Sequence, residues 1–309
     1  MMSFKRSWML IKPPSLPLNK DLLLNMELTF KEFLQSGKEQ LQRAGFAEVE
    51  AEHLLAHTLG ISRMDLHNSV SVARALENIG DTAVVEETFW KLLDRRCAHE
   101  PLQYLTGKAY FRHLELQVGP GVLVPRPESE LLVESVLTYI ESRSGEVSVV
   151  DLGAGSGALA LAIATEAPHT HVIAVEKSAD ALTWLKTNVS FIDEKVRIVA
   201  ADVADALVDV KCDVVIANPP YIPDTQPLPR DVAEHEPALA LFGGADGLQA
   251  PTQFIAAAAR LLKAGGFLAI EHHETHGEKI AQILQEEFID ILLHNDLNNR
   301  PRFTTATRR

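Results

Sequence analysis

The sequence predicts an α/β protein: a doubly wound, mainly parallel seven-stranded sheet preceded by a small helical domain. Three observations carry this. Short apolar runs, among them VSVVDLG, HVIAVE and CDVVIAN, recur between amphipathic stretches from residue 147 onward. Such runs between helices mark strands buried on both faces. A glycine-rich turn, GAGSG, comes directly after the first run and opens a helix, and the segment before residue 100 shows only helical periodicity.

Residues 1–25, which open with MMSFKRSWMLIKPP, read as a disordered extension, with Met26 a candidate natural start. The apolar stretch there is too short for a secretory signal. Residues 26–99 read as the helical domain. Leu28, Phe33, Leu34 and Leu41 fall on one face before Gly45, EVEAEHLLAHTLG repeats the pattern up to Gly60, and TAVVEETFWKLLDRRCAHE forms a further helix. Residues 100–126 read as a β-hairpin linker: YFRHLELQV alternates, Gly119-Pro120-Gly121 marks the turn and VLV returns. The sheet domain, 127–309, opens on a helix with Pro127 and acidic residues in its first turn, as the helix dipole favours. Its strands are expected at VSVVDLG, HVIAVE, VRIVAAD, CDVVIANPP, FLAIEH, IDILLHND and RFTTATR, the last two closing one edge antiparallel.

The 309 residues carry 29 Lys+Arg against 42 Asp+Glu, a formal net charge of −13. That surface repels phosphate backbones and argues against direct nucleic-acid binding. The basic RPRFTTATRR end is expected to be solvated. Two cysteines, Cys97 and Cys212, form no metal or disulfide pattern. No apolar run approaches the roughly 18 residues that span a membrane. A cytoplasmic protein that binds neither membrane nor metal is expected. His53 and His57 share a helix face at metal-binding spacing but lack a third ligand.

The chemistry concentrates at strand ends. DLGAGSG places Gly153, Ala154, Gly155, Ser156 and Gly157 in a turn where backbone can approach a ligand closely. Glu176 ends the second strand, where its carboxylate can accept from ribose hydroxyls, and Asp202 ends the third, suited to an adenine amino group. The fourth strand stops at Asn218-Pro219-Pro220-Tyr221. Proline cannot continue a ladder, so an amide, free carbonyls and an aromatic ring gather at that end. The Asn218 oxygen and the Pro219 carbonyl can accept from both N–H bonds of a planar amine or amide, while Tyr221 packs on its face.

GxGxG, the acid after strand two and NPPY after strand four together resemble the class I S-adenosylmethionine-dependent methyltransferases. More specifically, PLQYLTGKAYF, VLVPRPESELLVE, NPPYIP, HEPALALFGGADGL and KAGGFLAIEHHETHGE resemble the glutamine methyltransferases of peptide-chain release factors, the PrmC/HemK family. The resemblance implies that S-adenosylmethionine is the cofactor, leaving as S-adenosylhomocysteine. The acceptor it implies is the glutamine side chain of the release-factor GGQ motif. On that reading Gly153 to Gly157, Glu176 and Val203 line the cofactor. Asn218 then bridges cofactor and substrate, and Pro219, Pro220 and Tyr221 hold the glutamine amide. Glu176 stands where such enzymes often have Asp, and Val203 where some carry an aromatic residue. Arg126 in PRPESE is expected to orient the substrate loop, to tie down the domain hinge, or to pair with Glu128 or Glu130. His272, His273 and His276 are expected to face solvent or cap a helix. Two other readings are a methyltransferase acting on an adenine or guanine amine, and a non-catalytic binding protein that kept the fold.

Overall fold

The structure, a computed structural model, describes residues 20–309, with side chains from residue 30 onward. Of the expected extension, residues 1–19 lie outside the described residues. Residues 20–25 instead belong to the first helix. KDLLLNMELTF contains neither proline nor glycine, so nothing stops the helix upstream of Met26. The chain divides into two compact units between Cys97 and Ala98.

The first unit comprises α1 (Lys20–Arg43), α2 (Val49–Leu59), α3 (Ser69–Ile79) and α4 (Thr82–Cys97). Leu41, Leu54, Leu55, Phe89 and Leu93 are fully buried there. The sequence reading passes over α3, whose Val70 and Val72 lower its helix propensity. The Asn68 side chain caps it by accepting from the Val70 and Ser71 N–H groups.

The second unit opens with α5 (Leu102–Thr106) and the strands β1 (Lys108–Phe111) and β2 (Leu114–Gln117), and continues into α6 (Glu130–Glu141). The hairpin turns at Arg112-His113, not at Gly119-Pro120-Gly121, and residues 122–124 are not a strand. Arg112 holds the tight turn at φ 51°. Its N–H donates to Glu130 Oε1, and its guanidinium ion-pairs with Glu166 and Glu134. The glycines serve close packing instead. A side chain on Gly119 would meet the Trp184 ring, and one on Gly121 would meet Asp180.

Then come β3 (Val147–Leu152), α7 (Ala158–Glu166), β4 (Thr170–Glu176), α8 (Ala179–Ile192), β5 (Arg197–Ala200), β6 (Cys212–Ala217), α9 (Arg230–His235), α10 (Ala238–Leu241), α11 (Gln249–Leu261), β7 (Leu262–Glu271), α12 (Gly277–Leu284), β8 (Phe288–Asn295) and β9 (Pro301–Arg308). The seven strands order as β5-β4-β3-β6-β7-β9-β8. The first five are parallel, and β9 runs antiparallel between β7 and β8. The basic tail is therefore not a solvated end. Phe303, Thr304, Thr305 and Ala306 are buried inside the sheet, and Arg302 pairs with Asp296 at 3.0 Å. β7 also begins at Leu262, five residues before the expected FLAIEH, because the helix ends at Leu261.

Both faces of the sheet are covered. Val149 packs into one hydrophobic cluster and its neighbour Val150 into the other, as a period of two requires. Register then fixes where chemistry gathers. Leu152 lies beside Val175 and Ala217, and Ala217 beside Ile270. The residues next in the chain, Gly153, Glu176, Asn218 and Glu271, thus share one sheet edge. Chain order reverses on either side of β3, and a crevice opens at the carboxyl ends of strands at such a point.

Candidate active site

A cavity of about 220 Å³ opens at this edge. The turn 153–156 forms one wall and Asn218 with Pro220 another; Glu176, Val203, Arg126 and Phe254 also line it. Nine of the residues singled out in the sequence therefore meet in one cleft: Arg126, Gly153, Ala154, Gly155, Ser156, Glu176, Val203, Asn218 and Pro220.

The turn is shaped by backbone. The N–H groups of Gly153 and Ala154 both donate to the Val175 carbonyl at 2.9 Å, which folds the chain back on β4. Gly155 has φ +57°, and a Cβ there would meet only Val122, so this side of the loop is open for a ligand to approach backbone. Gly153 is closed instead: the Phe254 ring stands 3.0 Å from where its Cβ would be. Glu176 braces the turn. Its Oε2 accepts from the Gly155 N–H at 2.9 Å and its Oε1 from the Ser178 N–H at 2.7 Å. Each oxygen has a further lone pair to offer a diol. Asp151 is wholly buried behind the turn. Its Oδ2 accepts from the Ala160 N–H at 3.1 Å, its Oδ1 has no partner, and burial pushes its carboxyl up to about 7.

Acceptor oxygens on Glu176, open backbone at Gly155 and apolar Val203 suit a nucleoside bearing a positively charged sulfur. A pyrophosphate finds no such match, because the nearest fixed charge on the turn is an anion. The residues present fit S-adenosylmethionine.

Asn218 projects from the end of β6. Its Nδ2 donates to Ser129 Oγ at 3.1 Å, and Ser129 Oγ donates to Glu271 Oε2 at 2.5 Å. The Tyr221 hydroxyl donates to Glu271 Oε1 at 2.9 Å. Burial pushes the Glu271 carboxyl up, while the Ser129 and Tyr221 hydroxyls and the Arg302 charge hold it back. Burial and the same carboxylate push the Tyr221 phenol above its ordinary range.

Four expected site residues are placed off the cleft wall. Tyr221 spends its hydroxyl on Glu271. Pro219 is buried. Asp202 accepts from the Ala204 N–H at 3.0 Å and pairs with Lys177 at 3.2 Å, so its oxygens are engaged locally. Gly157 begins α7 at φ +87°, where a Cβ would strike Leu185 and Leu161. Its part is to let the turn close onto α8.

Arg126 does line the cleft, but its partner is Glu236 at 2.5 Å, not Glu128 or Glu130. Glu236 Oε2 also accepts from the Val124 N–H at 3.1 Å. One buried carboxylate thereby ties the loop of HEPALALFGG to VLVPRPESE. Closeness in sequence favours Glu128 and Glu130; a partner 110 residues away leaves no local signal. Glu236, Ser129, Glu271 and Phe254 are the site residues that the sequence reading missed. Ser129, Glu236 and Glu271 do fall within the stretches that carry the family resemblance, whereas Phe254 lies in none of them.

His272 and His276 are buried, contrary to the solvent-facing expectation. His272 sits between the Thr304 hydroxyl at 3.0 Å and the His273 carbonyl at 2.9 Å, and burial drops its pKa to about 4. His276 precedes α12 without capping it through its side chain. Among the described residues no group of three His, Cys, Asp or Glu side chains is placed to hold a metal ion. Among them, too, no helix is long and apolar enough to cross a membrane.

A parallel sheet with an antiparallel β9 inserted next to its outer strand, carrying a glycine turn and NPPY at one edge, defines a class I methyltransferase fold. Residues 127–233 match the Methyltransferase small domain family, and residues 32–107 match the PrmC N-terminal domain family. The chain is 41% identical over 292 residues to the release factor glutamine methyltransferase of Streptomyces coelicolor, covering 92% of this chain and 99% of that one. It is 40% identical over 283 residues to the protein of that name from Mycolicibacterium smegmatis, covering 89% and 96%. With the Bifidobacterium longum protein the identity is 39% over 266 residues, covering 81% and 89%. The chain belongs to the release factor glutamine methyltransferase family.

Proposed function

We propose that this protein transfers a methyl group from S-adenosylmethionine to the side-chain amide nitrogen of the glutamine in the GGQ motif of peptide-chain release factors. The carrying observation is that Gly153 to Ser156, Glu176 and Asn218 line one cleft. The names borne by full-length relatives at 39–41% identity support the substrate.

Bound there, S-adenosylmethionine supplies a methyl carbon made electrophilic by the positive sulfur. Glu176 would hold the ribose, and the open backbone at Gly155 would let the cofactor approach the turn. An amide nitrogen is a poor nucleophile because its lone pair is delocalised. Asn218 Oδ1 in the cleft accepts one N–H bond, and the carbonyl of Pro219, next in the chain though buried behind the cleft wall, accepts the other once the amide is seated, which aims the nitrogen at the methyl and offsets the positive charge that grows on it. In that displacement the nitrogen lone pair would form the N–C bond as the C–S bond breaks, the C–S electron pair staying on sulfur. The surplus proton on nitrogen then leaves to water. Pro220, with no N–H, withholds a competing donor from these carbonyls.

The test is methylation of purified release factor by the protein and labelled cofactor, with DNA and RNA offered in parallel, and then mass analysis of the GGQ peptide. Label on the glutamine side chain alone is expected. Label in nucleic acid with none in the release factor would instead support an exocyclic-amine methyltransferase.

A further inference from the structure

The hydrogen bonds behind Asn218 have a direction. A serine hydroxyl owns one proton, and Ser129 Oγ spends it on Glu271 Oε2 at 2.5 Å. As a carboxylate, Glu271 takes the Ser129 proton on Oε2 and the Tyr221 proton on Oε1 at 2.9 Å and has none of its own to return. Ser129 Oγ therefore presents only lone pairs to Asn218. Its neighbour at 3.1 Å has to be the NH₂ limb of the amide, because an oxygen there would face another oxygen without a proton between them.

We infer that Ser129 and Glu271 form a relay that sets the rotation of the Asn218 amide, turning its NH₂ inward and its Oδ1 into the cleft. An asparagine flipped the other way would offer an acceptor amide two N–H groups in place of an oxygen. It would then repel the substrate's own N–H bonds. The relay thus decides whether the site grips an NH₂ or a carbonyl; Ser129 borders the cavity beside Asn218 and Glu271 stands behind it, and both act on the acceptor through the Asn218 amide. Ser129 is 3% and Glu271 1% exposed, so water does not compete for these bonds. Ser129 stands just before α6, and Glu271 ends β7 beside β6. Both are fixed to rigid elements, as an orienting device needs. They are positioning residues.

The kinetic arm of the test rests on the release-factor reading; a spectroscopic arm does not. In the first, methyl transfer is measured for wild type, Ser129→Ala, Asn218→Ala and the double variant at saturating cofactor. The loss of an orienting partner costs about 10–100-fold, so Ser129→Ala is expected to lower kcat by that factor with cofactor affinity within about twofold of wild type. In the Asn218→Ala background the same substitution is expected to cost nothing more. Losses that multiply, or a loss confined to cofactor affinity, would overturn the relay. In the second arm, the side-chain ¹⁵NH₂ signals of Asn218 are recorded with and without Ser129. Distinct, slowly exchanging protons that become fast-exchanging in Ser129→Ala support the relay, and an unchanged pair refutes it. A wild type that leaves release factor unmethylated would count against the proposed substrate alone, and the ¹⁵NH₂ signals would still decide the relay.

Discussion

Glu176 shows how much one side chain can carry. Its two oxygens accept backbone N–H groups from opposite sides, Gly155 in the turn and Ser178 at the start of α8. The carboxylate therefore shapes the loop before any ligand arrives, and its remaining lone pairs serve the ligand. Hydrogen bonds to a charged group contribute about 1.5–3 kcal/mol each. Glu176→Ala is accordingly expected to weaken S-adenosylhomocysteine binding about 10–100-fold, measured by titration calorimetry. Binding within a factor of two of wild type would remove Glu176 from the cofactor site. The residue is legible in sequence because it ends the strand that follows the glycine turn, so that successive strand ends carry glycines and then an acid. Tyr221 is legible only in part. An aromatic ring beside two prolines suggests stacking, yet the phenol has a buried carboxylate to satisfy, and that partner sits 50 residues downstream.

Elements are legible wherever periodicity alone decides them. All seven sheet strands and the helices between 147 and 284 that carry long apolar stripes stand in the sequence as alternating blocks. The failures come where a long-range contact overrides a local signal. Glycine and proline at 119–121 look like a hairpin turn, but the chain turns at Arg112, held at positive φ by Glu130, Glu134 and Glu166. The expected antiparallel pair does close one edge, with β9 lying between β7 and β8 and its Thr304 and Thr305 buried. Gly157 belongs to this scale as well. It joins the loop to α7, and packing against Leu185 of α8 leaves no room for a methyl group. Gly157→Ala is expected to destabilise the protein by about 1–3 kcal/mol through overpacking and positive-φ strain, read by thermal or urea denaturation. A variant as stable as wild type would show that the turn tolerates a side chain.

Across the whole second unit, function comes from register. Parallel strands in register bring β3, β4, β6 and β7 to an end together, so a glycine turn, a carboxylate, an asparagine and a second carboxylate converge from positions more than 100 residues apart. The first three are readable one by one as strand-end residues. The relay through Ser129 and the Arg126–Glu236 tie are not, since each joins segments whose proximity only the folded sheet creates.

What matters most is whether a donor seated on the glycine turn faces the amide of Asn218. A crystal structure of the protein with S-adenosylhomocysteine measures that directly. Ribose hydroxyls on Glu176, the adenine beside Val203 and the sulfur turned toward Asn218 Oδ1 are expected. A ligand bound away from the 153–156 turn, or a sulfur pointing out of the cleft with Asn218 behind it, would contradict it.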